Sequence, residues 1–206
     1  MKFPLIEELN LGGVIVVFDL EFTAWPGSAA RLWSGPGEHP EIIQIGAVKA
    51  RTIGGMTETG NMNRYVRPSI NPVLSDYIIG LTGIHQSDID DKSVPFADAM
   101  KEFSAFIGDD TGQIICHGSD LDVLIQNCEL NNTPFLLDDK NFVNIRPYFH
   151  AALGCPEEAV YSCDLAEAFG LENEGKHHDA LGDSRAIMKV LDYLVNTKTP
   201  AMGAAG

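Results

Sequence analysis

The chain has 206 residues, enough for one large domain, and by area scaling folding would bury roughly 70% of the surface it exposes when unfolded. With 45% hydrophobic and 21% charged residues it falls in the ordinary globular range, which excludes wholesale disorder. Its formal net charge of -15 argues against a general binder of duplex DNA or anionic membranes and suits a site built of carboxylates around divalent cations. Four cysteines (Cys116, Cys128, Cys155 and Cys163) have neither CxxC nor zinc-ligand spacing and read as reduced thiols of a cytoplasmic protein. The start, MKFPLIEELN, lacks the order of a signal peptide, and no apolar run is long enough to span a bilayer.

In chain order, VIVVFDLEF (14–22) is a β-branched apolar run, expected to form a central strand covered on both faces. The Gly/Pro-rich stretch 24–40 contains Trp25 and Trp33 and is expected to be a lid beside the substrate. EIIQIGAVKAR (41–51) and residues 63–67 predict a second and a third strand of an antiparallel meander, with Glu41 read as a solvated acid at a strand end. Phe96, Met100, Phe103 and Ile107 recur at helical spacing, GQIIC (112–116) reads as a short buried strand, and Leu121, Leu124, Ile125 and Cys128 share one helical face. A last helix is marked by Ile187, Val190, Leu191 and Leu194. Strands followed by alternating strand and helix predict a single α/β domain over 1–206, with its core at about 13–195 and a frayed tail at 197–206.

Several acids sit where a core face is expected. Asp19 and Glu21, two apart on the first strand, leave the same face as Ile15 and Val17. Two carboxylates there repel each other and each is costly to desolvate, so protonation, an arginine or a divalent cation must compensate. Asp183 lies four residues before Ile187, on the apolar stripe of the last helix, and poses the same problem. His178 is five residues upstream, too far to share its helical face; if it occupies the loop entering the helix it can reach back over the same place, and the alternative is that His178 or His177 is a helix-entry histidine bonded to a backbone group. In HGSDLD (117–122), Asp120 and Asp122 both stand at a helix start, and helical geometry does not separate them.

Together FDLEFT (18–23), HGSDLD (117–122) and HHDALGD (177–183) resemble the three motifs of the DEDDh, or DnaQ-like, 3′–5′ exonucleases, the last through His178, Ala180 and Asp183. EIIQIGAV, YVRPSINPVLSDYIIGLTGIHQSDID and SCDLAEAFGL are similar to segments of the branch that trims histone mRNA and small RNAs. The resemblance implies a ribonuclease H-like fold with a mixed five-stranded sheet. It also implies two Mg²⁺ or Mn²⁺ ions held by Asp19, Glu21, Asp183 and a middle aspartate, with His178 as general base. For the middle aspartate the family pattern favours Asp122, which follows Leu121 and stands five residues after His117. The implied substrates are single-stranded 3′ ends, RNA ahead of DNA, released as 5′-mononucleotides. Phe22 and Trp25, directly after the first motif, are candidate base stackers, with Thr23 also counted as a substrate contact, and the resemblance implies that Leu81 and Ile84 lie near the terminal base. The rival readings are a non-catalytic binding module of the same fold and a metal-dependent endonuclease.

Overall fold

In the computed structural model the described residues are 6, 9, 11–154, 160–172 and 177–198, so Cys155 and the expected tail beyond 198 lie outside them. Strand β1 (Val14–Phe22) is covered on both faces, as its unbroken apolar run predicts. It pairs antiparallel with β2 (Ile42–Arg51), which pairs antiparallel with β3 (Thr57–Arg67) across the Gly54–Gly55 turn. The third strand therefore starts six residues earlier than its sequence signal. Its first residues alternate exposed and half-buried and carry no apolar face.

Helices α1 (Asp76–Thr82) and α2 (Gln86–Lys92) lead to a two-residue strand β4 (Val94–Pro95) and helix α3 (Phe96–Ile107). Strand β5 (Gln113–Cys116) runs parallel to β1 and feeds helix α4 (Asp120–Leu130). Strand β6 (Phe142–Asn144), helix α5 (Arg146–Leu153), the short α6 (Leu165–Ala168) and the long α7 (Ala180–Lys198) complete the order.

The sheet is mixed and six-stranded, in the order β4-β3-β2-β1-β5-β6. That is one more strand than the resemblance implies. The edge strands β4 and β6 have two and three residues, too few to leave a period-two signature in sequence. Val16, Phe18 and Leu20 pack against Met100 and Phe103 of α3 and Leu124 of α4. Ile15 and Val17 point the other way, against Phe149 of α5 and Ile187, Val190 and Leu191 of α7. Among the described residues no helix is long and apolar enough to cross a membrane.

Two buried features hold α7 and the 68–71 segment to the sheet. Gly46 of β2 sits opposite Asp19, and a Cβ there would lie 2.1 Å from the Ala180 carbonyl carbon and the Leu181 nitrogen. The start of α7 thus rests directly on strand backbone, and Ser184 Oγ donates to the Gly46 carbonyl at 3.0 Å. Gly46→Ala should destabilise the fold by about 1–3 kcal/mol, the usual cost of overpacking, and displace the helix start; a denaturation midpoint measures the first effect. Glu41 is not the solvated acid expected from sequence. It is buried, and its carboxylate accepts the backbone N–H groups of Ser69, Ile70 and Asn71 at 2.6–2.7 Å, a fixed role that leaves it no part in a metal site.

Candidate active site

Asp19 and Glu21 extend the Ile15–Val17 face of β1 towards α7, as period-two alternation requires. Both are buried. Asp183 reaches them from the first turn of α7, and oxygen atoms of Asp19, Glu21 and Asp183 all lie within 4.8 Å of one another.

That first turn is fixed locally. The Asp179 carboxylate accepts the Gly182 N–H at 3.0 Å and thereby caps the helix. Gln44 of β2 donates to Asp179 and accepts the Ala180 N–H, tying the cap to the sheet. His178 stands just before the cap with φ +55°, in the left-handed region uncommon for any side chain but glycine. The histidine therefore belongs to the entry turn, where it faces the cleft that Asp183 also lines.

The structure brings Asp120 to the cleft and leaves Asp122 outside it, contrary to the expectation for Asp122. Helix α4 begins at Asp120, and two residues further on the chain has turned about 200° round the helix axis. Asp120 consequently faces β1, is 6% exposed and lines the cleft, whereas Asp122 is exposed and lies outside it.

Burial raises the Asp19 carboxyl well above the usual carboxylate range, and Asp120, Asp183 and Glu21 push it further. Glu21 is raised well above its range by burial and by Asp183 and Asp120. Asp120 and Asp183 both rise to about 7, again chiefly by burial; backbone hydrogen bonding opposes this at Asp120, and a 3.3 Å hydrogen bond from Ser162 opposes it at Asp183. Among the described residues none of the four forms an ion pair with lysine or arginine. The Arg146 charge acts on Asp120 but is too weak to offset burial, and four hard oxygen donors fit Mg²⁺ or Mn²⁺ better than Zn²⁺. His178 moves the other way, below its ordinary value, because burial disfavours the imidazolium more than Asp164 supports it.

The cleft occupies about 710 Å³. Of the expected substrate contacts, Phe22, Trp25 and Leu81 line it. Thr23 and Ile84 do not, and the structure gives each another task. The buried Thr23 hydroxyl donates to the His39 carbonyl and accepts the Glu41 N–H, while Ile84 packs with Ile43, Ile78 and Ile89. The 24–40 stretch, expected to be a lid, borders the cleft and is braced by contacts of its own and by contacts to the end of β1. Trp33 Nε1 donates to the Thr23 carbonyl, Ser28 closes a turn on Trp25, and Arg31 pairs with Glu38. Trp33 packs on Phe22 with ring centroids 5.4 Å apart.

Sequence reasoning missed Tyr77, His117, Ser162 and Cys163 as cleft residues. None lies at a spacing that advertises the site, although each falls in a segment that resembles the family: Tyr77 in residues 65–90, His117 in HGSDLD and the Ser162–Cys163 pair in SCDLAEAFGL. Arg146, at the first position of α5, is the only lysine or arginine among the described residues that line the cleft.

A family model for the RNase_T exonuclease domain matches residues 16–191, most of the chain. The chain is 27% identical over 184 residues to 3′-5′ exoribonuclease 1 of Rattus norvegicus, covering 85% of this chain and 51% of that protein. It is 28% identical over 206 residues to the probable 3′-5′ exonuclease KapD of Bacillus subtilis (strain 168), covering 92% and 91%. The chain thus spans about half the length of the rat relative and nearly all of the bacterial one. The nuclease domain of 3′hExo, a DEDDh family member bound to rAMP, superposes with a TM-score of 0.75 at 24% identity, over 90% of this chain and 93% of that one. Exonuclease I of E. coli in complex with a dA16 oligonucleotide superposes with a TM-score of 0.66 at 17% identity, over 92% and 42%. These superpositions establish a shared fold.

Proposed function

The chain belongs to the RNase_T exonuclease family, and we propose that it is a metal-dependent 3′–5′ exonuclease that removes 5′-mononucleotides from single-stranded ends, with RNA preferred to DNA. The observation that carries this reading is the convergence of Asp19, Glu21, Asp120 and Asp183 from three separate segments, with His178 in the same cleft.

Asp19, Glu21 and Asp183 would hold one Mg²⁺ or Mn²⁺, and Asp19 with Asp120 a second. Bound there, two divalent cations supply charge neutralisation for the phosphate and the leaving oxygen. His178 is the proton acceptor. Its lowered pKa leaves the ring neutral at pH 7, ready to take a proton as the oxygen of a water attacks phosphorus and the bond from phosphorus to the 3′ oxygen breaks. Phe22, Trp25 and Leu81 offer apolar surface to the terminal bases, and Arg146 supplies a cation for one phosphate. A net charge of -15, with Arg146 the one lysine or arginine among the described cleft residues, suits a grip on a few nucleotides rather than a long duplex track. The preference for RNA is supported by the exoribonucleases among the relatives. A cytoplasmic location is supported by sparse cysteines, of which Cys116, Cys128 and Cys163 are outside any disulfide.

The test is digestion of matched 3′-labelled and 5′-labelled RNA and DNA oligomers in Mg²⁺ or Mn²⁺, with a circular oligomer alongside. Stepwise shortening from the 3′ end with the circle intact is expected; cleavage of the circle would establish an endonuclease instead. His178→Ala should keep metal and nucleic-acid binding while losing on the order of 10²–10⁴ in rate, and undiminished hydrolysis by this variant would remove the histidine from the mechanism.

A further inference from the structure

A second and chemically different metal position adjoins the carboxylates. Cys163, on the Ser162–Asp164 turn before α6, places Sγ 3.7 Å from Nε2 of His178. An oxygen of Asp183 lies within 4.8 Å of both, and all three side chains line the same cleft, so an ion from solvent can reach them. A tetrahedral zinc ion with ordinary Zn–S and Zn–N bond lengths separates its sulfur and nitrogen ligands by about 3.6 Å. The sulfur and nitrogen here already stand at that separation. Cysteine, histidine and aspartate also form a donor set that selects borderline-soft cations, whereas the neighbouring all-oxygen cluster selects hard ones.

We propose that Cys163, His178 and Asp183 form an inhibitory site for Zn²⁺ or a similar thiophilic divalent cation. Its inhibitory effect rests on the nuclease reading above. Binding releases the thiol proton to solvent and forms a sulfur–metal bond, a nitrogen–metal bond at Nε2 and an oxygen–metal bond to Asp183. The lone pair with which His178 would accept a proton is then engaged by the ion. Asp183 is withdrawn from the hard-metal site at the same time. Mg²⁺ does not substitute, because it neither favours thiolate nor accepts tetrahedral geometry. The site therefore discriminates between the ion that supports hydrolysis and one that stops it.

Two readouts on the full chain test this. The first is independent of activity: Co²⁺ added as a zinc surrogate should give a near-ultraviolet sulfur-to-cobalt charge-transfer band that is displaced by Zn²⁺ and absent from Cys163→Ser. No band in the unsubstituted protein, or a band that survives Cys163→Ser, overturns the site whether or not the chain is a nuclease. The second is zinc titration of Mg²⁺-driven RNA hydrolysis, each protein normalised to its own zinc-free rate. Cys163→Ser should need at least about tenfold more Zn²⁺ for half-inhibition, since loss of even an outer-sphere partner costs that much affinity. Equal zinc sensitivity of the two proteins would place the inhibitory ion in the carboxylate cluster and overturn the proposal. A cobalt band of the expected kind in a protein without hydrolytic activity would uphold the metal site and sink the nuclease reading instead.

Discussion

Asp120→Asn should lower Mg²⁺-dependent hydrolysis by on the order of 10³-fold, while Asp122→Asn stays within about twofold of the unsubstituted protein. The two carboxylates are chemically identical and two residues apart, so the contrast isolates position. Asp120 is buried beside Asp19 at the start of α4, and its amide replacement keeps size and hydrogen-bonding shape but removes a unit of charge from the metal cluster. Asp122 is exposed and faces away from the cleft. Measured rates in the opposite order would mean that α4 is turned relative to β1 from its position here.

The same Asp120→Asn protein should be more stable than the unsubstituted one, by about 1–3 kcal/mol at pH 8 without divalent cations. Asp120 and Asp183 have folded-state pKa values raised to about 7, chiefly by burial, and Asp19 and Glu21 are raised as well. Below about pH 4 these acids are protonated in both folded and unfolded chains and cost nothing. Between about pH 4 and 7 the unfolded chain loses protons that the folded chain keeps, so stability falls as pH rises through that window. Above it the folded protein carries the full repulsion. A divalent cation that binds only the folded state offsets this, by about 2.7 kcal/mol at a hundredfold excess over its Kd. Chemical denaturation at pH 5 and pH 8, with and without Mn²⁺, should therefore show a metal effect that is large at pH 8 and small at pH 5. A stability that rises with pH in metal-free buffer would contradict this electrostatic account.

This balance explains which parts of the molecule the amino-acid order made legible. Asp19, Glu21 and Asp183 stood out because each interrupts an apolar face with a charge whose burial needs a reason, and the two relevant periodicities, 2 and 3.6, are readable from spacing alone. His178 was legible through the motif resemblance, since spacing kept it off the helical face of Asp183 but left open an ordinary helix-entry histidine; Asp179 capping the Gly182 amide is the local cause of its place before the helix. Asp120 was not separable from Asp122 because both flank the same apolar stripe, and the choice is made by tertiary contact: β5 lies parallel to β1 through Val17 and Ile115, which delivers the start of α4 to Asp19. Long-range contact likewise decided Glu41, whose three amide partners come from about thirty residues downstream. Thr23 and Ile84 lie outside the cleft lining for a related reason: neither adjacency to a motif nor correspondence to a family position says which way a side chain turns. The short edge strands β4 and β6 exist because a sheet is there to pair with, and two or three residues cannot announce that by pattern.

The most direct test of the central claim is a crystal of the protein grown with Mn²⁺ and a 5′-mononucleotide, with the manganese located by its anomalous scattering. The account predicts density bounded by Asp19, Glu21 and Asp183, and a second peak between Asp19 and Asp120, with the phosphate against them and the His178 ring facing it. An empty cluster, with the carboxylates protonated or clamped by arginine and manganese bound elsewhere, would contradict it.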